Sequence, residues 1–204
     1  MRRRSLSRAF YRRDSRVVAP ELLGKLLVHR RADSPPLVAR IVEVEAYAGA
    51  EDPGSHGFRG ETPRTRTMFG PAGHLYVYFT YGMHWCANTV CGGVGESSAV
   101  LLRAAAPLEG LDLMRASRGP AARRDRDLCS GPAKLCQAFG IDAAFDGADL
   151  VTGDLGVRIV DDGTPPPEAP VVTRRIGLSA GVEHEWRWLV AGDANVSGPR
   201  NVGA

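Results

Sequence analysis

Glu43 and Glu45 stand two residues apart in the run VARIVEVEAY, residues 38–47. In an extended strand that spacing puts both carboxylates on one face with Ile41 and Tyr47, leaving Val42, Val44 and Ala46 on the other. If the carboxylate face is buried, desolvation and mutual repulsion raise at least one pKa toward the range of a general base. The opposing reading is a solvated polar face. Tyr47 beside the carboxylates argues for a pocket wall.

A second group is the aromatic run LYVYFTYGMHW, residues 75–85. Tyr76 and Tyr78 share a face, while Tyr81 and Met83 flank Gly82, which permits a tight reversal and lets side chains project outward. Such groups suit stacking on a nucleic-acid base or wedging between base steps; burial as ordinary core aromatics is the alternative. A third group, His56, Arg59, Arg64 and Arg66, lies in a long irregular stretch, residues 51–73, of a kind that is usually functional. His56, His74 and Asp52 form no compact metal signature, so no metal is expected. Gly92-Gly93-Val94-Gly95 lacks the spacing of a nucleotide-binding loop, and no nucleophile elbow occurs.

The elements that must position these groups are mostly strands. Beyond residues 38–47, strand patterning covers 74–79, 85–90, 98–104, 158–160, 171–176 and 186–190. Helices are expected over 107–117, from Ser130-Gly131-Pro132 to Gly140, and more weakly over 21–27. The proline-rich stretch 161–170 reads as a surface loop. This irregular order predicts an α+β fold with a largely antiparallel sheet.

The 204 residues are 44% hydrophobic and 24% charged, which fits one globular domain. No apolar run is long enough for a membrane span, and the N-terminus lacks a secretory apolar region, so a soluble intracellular protein is expected. Residues 1–31 carry +8 and the remainder −5, with only two lysines among the 26 cationic residues. The excess fits either a polyanion partner or an arginine-biased, solvated arm. Cys86, Cys91, Cys129 and Cys136 contain no C-x-x-C pair and are expected as buried free thiols. The residues alone thus reach a candidate acid/base carboxylate, a tyrosine-lined pocket and local positive charge, a set that suits hydrolysis at a nucleic-acid base.

Six strings in this order resemble the alkyladenine (3-methyladenine) DNA glycosylase family: residues 40–47 (RIVEVEAY), 62–69 (TPRTRTMF), 75–83 (LYVYFTYGM), 100–103 (VLLR) through 107–110 (PLEG), 129–136 (CSGPAKLC), and 175–178 (RIGL) with Glu185-Trp186. The resemblance spans roughly residues 17 to 190. It implies a single α+β domain, residues 17–204, with a curved antiparallel sheet, surrounding helices and a protruding β-hairpin; residues 1–16, which have no counterpart in the family, are expected from their charge as a flexible basic arm. It implies a cofactor-independent, monofunctional enzyme that acts as a monomer on double-stranded DNA, flips damaged purines and hydrolyses the N-glycosidic bond. Glu45 would activate water, with Arg103 and the Ile176 main chain holding it. Tyr47, His56 and Tyr78 would sandwich the base, and Asn88 would meet its edge. Tyr81, with Met83, would intercalate, while Arg64, Arg66, Ser130, Gly131 and Lys134 would contact the backbone. His84 stands where the family often has tyrosine. The setting would be the cytoplasm or nucleoid of a bacterium, or the nucleus or mitochondrion of a eukaryote. Two other functions compete with excision: an idle damaged-DNA-binding module of the same fold, and a nucleoside N-ribohydrolase.

Overall fold

The longest strand is the one that carries the paired carboxylates. The computed structural model describes residues 3–198; residues 1 and 2 of the expected arm and 199–204 of the expected domain lie outside the described residues. In chain order the elements are β1 (Arg4–Ser5), α1 (Arg8–Tyr11), α2 (Ser15–Leu22), β2 (Leu26–Arg31), β3 (Ser34–Ala48), β4 (Leu75–Thr80), β5 (His84–Cys91), β6 (Ser98–Glu109), α3 (Leu111–Arg118), α4 (Pro132–Phe139), β7 (Val157–Asp161), β8 (Val171–Thr173) and β9 (Arg187–Leu189). The strands form one open antiparallel sheet in the order β1-β7-β2-β3-β6-β5-β4, with β9 joining β3 and β8. This is the α+β architecture expected from the sequence.

β6 follows one edge of β3 along most of its length. The other edge is shared: β2 pairs with its first half, and β9 takes over opposite Glu43, Val44 and Glu45. The carboxylate segment is therefore an interior strand at that point. Simple alternation along β3 fails, because its register with β6 shifts between Ile41 and Val44. Leu37, Ala39 and Ile41 face the main core before this bulge, whereas Val44 and Ala46 face it afterwards. Ile41 thus shares the core face with Val44 and Ala46, not with the glutamates; the extra residue reverses which positions point inward.

Several boundaries move for physical reasons. The helix expected over 107–117 starts at Leu111, because β6 continues through Pro107 and Glu109 opposite Ala39 and Val38, with the proline accommodated at another register shift. The helix expected over 21–27 lies at Ser15–Leu22, where the Asp14 carboxylate caps the Arg16 amide. Residues 26–31 instead form β2 between β3 and β7. Leu26 and Leu27 are both buried, on opposite faces, so no polar alternation marked the strand. α4 occupies its expected place and ends at Gly140.

The basic segment read as a flexible arm has residues 4–16 packed on the body. Arg4 and Ser5 pair with β7, Tyr11 is fully buried, and Arg8 donates to Asp149 at 2.5 Å. Arg3 pairs with Glu109, and Arg13 with Glu21 at 2.8 Å. The acidic body thereby takes up much of the segment's positive charge. All four cysteines are free and buried. Among the described residues, no helix is long and apolar enough to cross a membrane.

Candidate active site

Glu45 is fully buried in the middle of β3. Its carboxylate accepts two hydrogen bonds, from the Ile176 amide to Oε1 at 2.7 Å and from the Tyr47 hydroxyl to Oε2 at 2.8 Å, and forms an ion pair with Arg103, whose Nη1 lies 3.2 Å from Oε1. Two hydrogen bonds use about two of the roughly four lone-pair positions of a carboxylate. Burial and the neighbouring Glu45 push the Tyr47 hydroxyl well above its ordinary pKa, so it remains a donor at neutral pH.

Glu43 does a different job. Its Oε1 accepts Arg103 Nε at 2.8 Å, Arg187 Nε at 2.7 Å and the Ser197 hydroxyl at 2.8 Å, while Oε2 accepts the Ser197 amide at 2.6 Å. Burial alone would raise its pKa, but Arg103, the Ser197 amide and Arg187 hold it below the ordinary carboxylate value. The expectation that pairing raises a carboxylate pKa therefore fails at Glu43, because arginines from β6 and β9 outweigh burial and repulsion. Both carboxylates are buried, which removes the solvated-face reading.

A cavity of about 290 Å³ opens beside this network. Tyr47, His56, Tyr76, Tyr78, Asn88 and Arg103 contribute to its lining. Tyr78 stacks on Tyr76 with ring centres 5.5 Å apart, and His56 meets Tyr78 edge-on at 4.5 Å. Desolvation, then Arg64, lowers the His56 pKa, so the ring is neutral at pH 7. Its Nδ1 lies 3.2 Å from the Tyr76 hydroxyl. Asn88 donates to the Tyr76 carbonyl at 3.3 Å.

Ile176, Gly177, Leu178 and Pro132 form other parts of the wall. Pro132 opens α4, whose approach is fixed by a bridge between Ser130 and Ala104 of β6. Lys134 donates to the Ser130 hydroxyl at 3.3 Å; neither residue lines the cavity, nor does Gly131.

The β4–β5 hairpin projects at the mouth. Tyr81 and Met83 are 78% and 68% exposed, too high for core residues. Tyr81 has φ +52° and Gly82 φ +66°, and the Met83 amide donates to the Thr80 carbonyl at 3.2 Å. Two left-handed residues match the twist of a tight hairpin turn, but a tyrosine in this region costs about 1–2 kcal/mol. Tyr81 also lines the cavity, while His84 is exposed at the hairpin base opposite Thr80. Arg64 reaches back to donate to the Phe79 carbonyl at 3.1 Å, whereas Arg66 is exposed with Glu61 3.5 Å away.

The structure thus places Tyr47, His56, Tyr78, Asn88, Arg103 and Ile176 around one cavity, with Tyr81 at its rim, while Glu45 is not itself in the lining and sits behind Tyr47, Arg103 and Ile176, to which it is bonded. Tyr76, offered by the aromatic run as a stacking group but absent from the base-pocket set that the resemblance implies, is a cavity wall, and sequence reasoning missed Glu43 as the anchor of Arg103. It also missed the ion pair between Arg175 and Asp52, at 2.5 Å, which excludes Asp52 from the metal set considered with His56 and His74. Among the described residues, no group of three or more His, Cys, Asp or Glu side chains could hold a metal ion.

The methylpurine-DNA glycosylase family matches residues 9–194. Relatives whose names carry the words 3-methyladenine DNA glycosylase include a protein of Burkholderia lata, 56% identical over 95% of this chain and 91% of its own length. One from Streptomyces avermitilis is 47% identical over 96% and 92%, and one from Methanoculleus marisnigri is 47% identical over 95% and 98%. With the match covering nearly the whole fold, including the strand and loops that build this site, the chain belongs to the methylpurine-DNA glycosylase family, DNA-repair hydrolases of the N-glycosidic bond.

Proposed function

We propose that the protein acts as a monomer on duplex DNA, flips a damaged purine into the aromatic cavity and releases it with a water activated by Glu45. The observation that carries this reading is the buried Glu45 carboxylate, held by two hydrogen bonds and an ion pair from residues that wall the tyrosine-lined cavity. Glu45 takes a proton from water, the water oxygen attacks the sugar carbon, and the bonding electrons leave with the purine nitrogen. An alkylated purine already carries positive charge and departs neutral. A neutral purine such as hypoxanthine needs a proton to leave. Tyr47, His56 and Tyr78 hold the base, Asn88 meets its edge, and Arg103 helps hold the water. Arg64, Arg66 and the Ser130–Lys134 segment would face the phosphates.

A panel of duplexes, each with one 3-methyladenine, hypoxanthine or ethenoadenine, tests the reading by alkaline cleavage at the abasic site. Excision of at least one lesion from duplex, without excision from the free nucleoside, is expected. Turnover of nucleosides alone would select the ribohydrolase alternative, and tight lesion binding without excision the idle module. Lys134 lies outside the cavity lining, so borohydride should trap no covalent adduct.

Tyr81, with Met83 beside it, fills the gap left by the flipped base. Stacking of this kind is worth about 1–3 kcal/mol, or roughly 5- to 150-fold. Tyr81→Gly should therefore slow single-turnover excision from duplex by about that factor, with little loss on single-stranded DNA, where no stack is opened. The melting temperature should not fall, since glycine relieves the left-handed strain. Equal slowing on both substrates would remove Tyr81 from the flipping step.

A further inference from the structure

We infer that the buried Arg175–Asp52 pair is a positioning unit that holds both hydrogen-bond donors on Glu45. This rests on the proposed role of Glu45 and extends it to residues outside the cavity. Arg175 lies in the irregular stretch between β8 and β9, yet both side chains of the pair are fully buried. The guanidinium forks onto the carboxylate, Nη1 to Oδ2 at 2.5 Å and Nη2 to Oδ1 at 2.7 Å. Nη1 also donates to the Ala46 carbonyl and Nη2 to the Gly181 carbonyl, both at 3.0 Å. Asp52 accepts in turn from the amides of Ala48, at 3.2 Å, and Gly54, at 2.9 Å.

These bonds tie three pieces of chain together: the end of β3, the turn after it and the loop that carries Ile176. Ile176 follows Arg175 directly, so the fork fixes the amide that donates to Glu45 Oε1. The same guanidinium carbon lies 4.7 Å from the centre of the Tyr47 ring, whose hydroxyl donates to Oε2. Arg103, the ion-pair partner of Glu45, is anchored separately by Glu43. A buried ion pair is a weak source of stability compared with an apolar pair of similar size. A planar, bidentate fork does, however, set orientation, which is what a loop without regular structure needs to place an amide. Arg175 and Asp52 touch neither water nor base in this scheme and act through Ile176 and Tyr47.

Arg175→Lys keeps the charge but loses the fork. Gly181→Ala keeps both charges and crowds the fork, because Gly181 has φ +62° and an added Cβ would lie 2.9 Å from Arg175 Nη2 and 3.0 Å from Asp52 Oδ1. Each variant is to be measured for single-turnover excision and for affinity for a duplex with an uncleavable abasic-site analogue. The expected result is a loss of about 10- to 100-fold in rate per active molecule with wild-type affinity for the analogue. A purely structural pair would reduce the active fraction and melting temperature while leaving the rate per active molecule unchanged, and that result overturns the proposal. Should Arg175→Lys fail to fold, Gly181→Ala and Asp52→Asn are read by the same criteria. An active Glu45→Gln sinks the parent reading and this one together, whereas an inert Glu45→Gln beside an unaltered Arg175→Lys sinks only the positioning role.

Discussion

Glu45→Gln is expected to lose excision by about 10²–10⁴-fold, the usual contribution of one placed general base, while damaged-duplex binding stays close to wild type. The amide is nearly isosteric: its oxygen can accept from the Ile176 amide while its NH2 donates to the Tyr47 hydroxyl, which can turn to accept, so the cavity keeps its shape. What disappears is the ability to take a proton from water. Single-turnover excision of a neutral and a cationic purine, beside binding to an uncleavable analogue, separates chemistry from recognition. The cationic lesion should lose less, because its leaving group needs less help. Excision at the wild-type rate would remove Glu45 from the mechanism.

Glu43→Gln should produce the largest loss of stability, about 3–5 kcal/mol, because two buried arginines lose their common counter-charge. Arg103 and Arg187 are only 7% and 3% exposed, so water cannot readily replace the carboxylate. For a chain of this size the loss corresponds to roughly 6–20 °C in melting temperature. The shape of the side chain hardly changes, so cavity formation does not contribute. A fall of under about 3 °C would mean that the arginines find other partners. The same carboxylate links stability to acid: its folded pKa is depressed, so its contribution is fully present above the unfolded value of about 4.3 and drains away as pH falls through the lower folded value. The wild type should therefore lose stability more steeply below about pH 4 than Glu43→Gln.

Much of the fold was legible because its strands alternate and its turns carry glycine. The β4–β5 hairpin, β6 and α4 could be placed from such local signals, and α4 even from its proline start and glycine stop. β2 could not, because a strand buried on both faces has no polar alternation. The reversal within β3 was equally silent, since a bulge depends on the partner's register and not on any one side chain. Glu45 and Tyr47 were visible as a chemical pair on one strand. The contacts that orient them come from Arg103, Arg175 and the Ile176 amide, 58 to 131 positions beyond Glu45 in the chain, and no local pattern reports such pairings. The basic segment misled for a related reason: composition displayed its charge but not the pairing of Arg3, Arg8 and Arg13 with Glu109, Asp149 and Glu21, which ties it to the body.

The bulge between Ile41 and Val44 also determines which genetic changes this site can survive. A substitution there alters one side chain and leaves the count of residues intact. Deleting a residue at the bulge itself would set Ile41 and Val44 two apart and leave Glu45 and Tyr47 off the core face, whereas deleting Val44, past the bulge, would turn Glu45 and Tyr47 toward the core. Lineages of this fold can therefore drift in residue type along β3 but not in its length between the bulge and Tyr47.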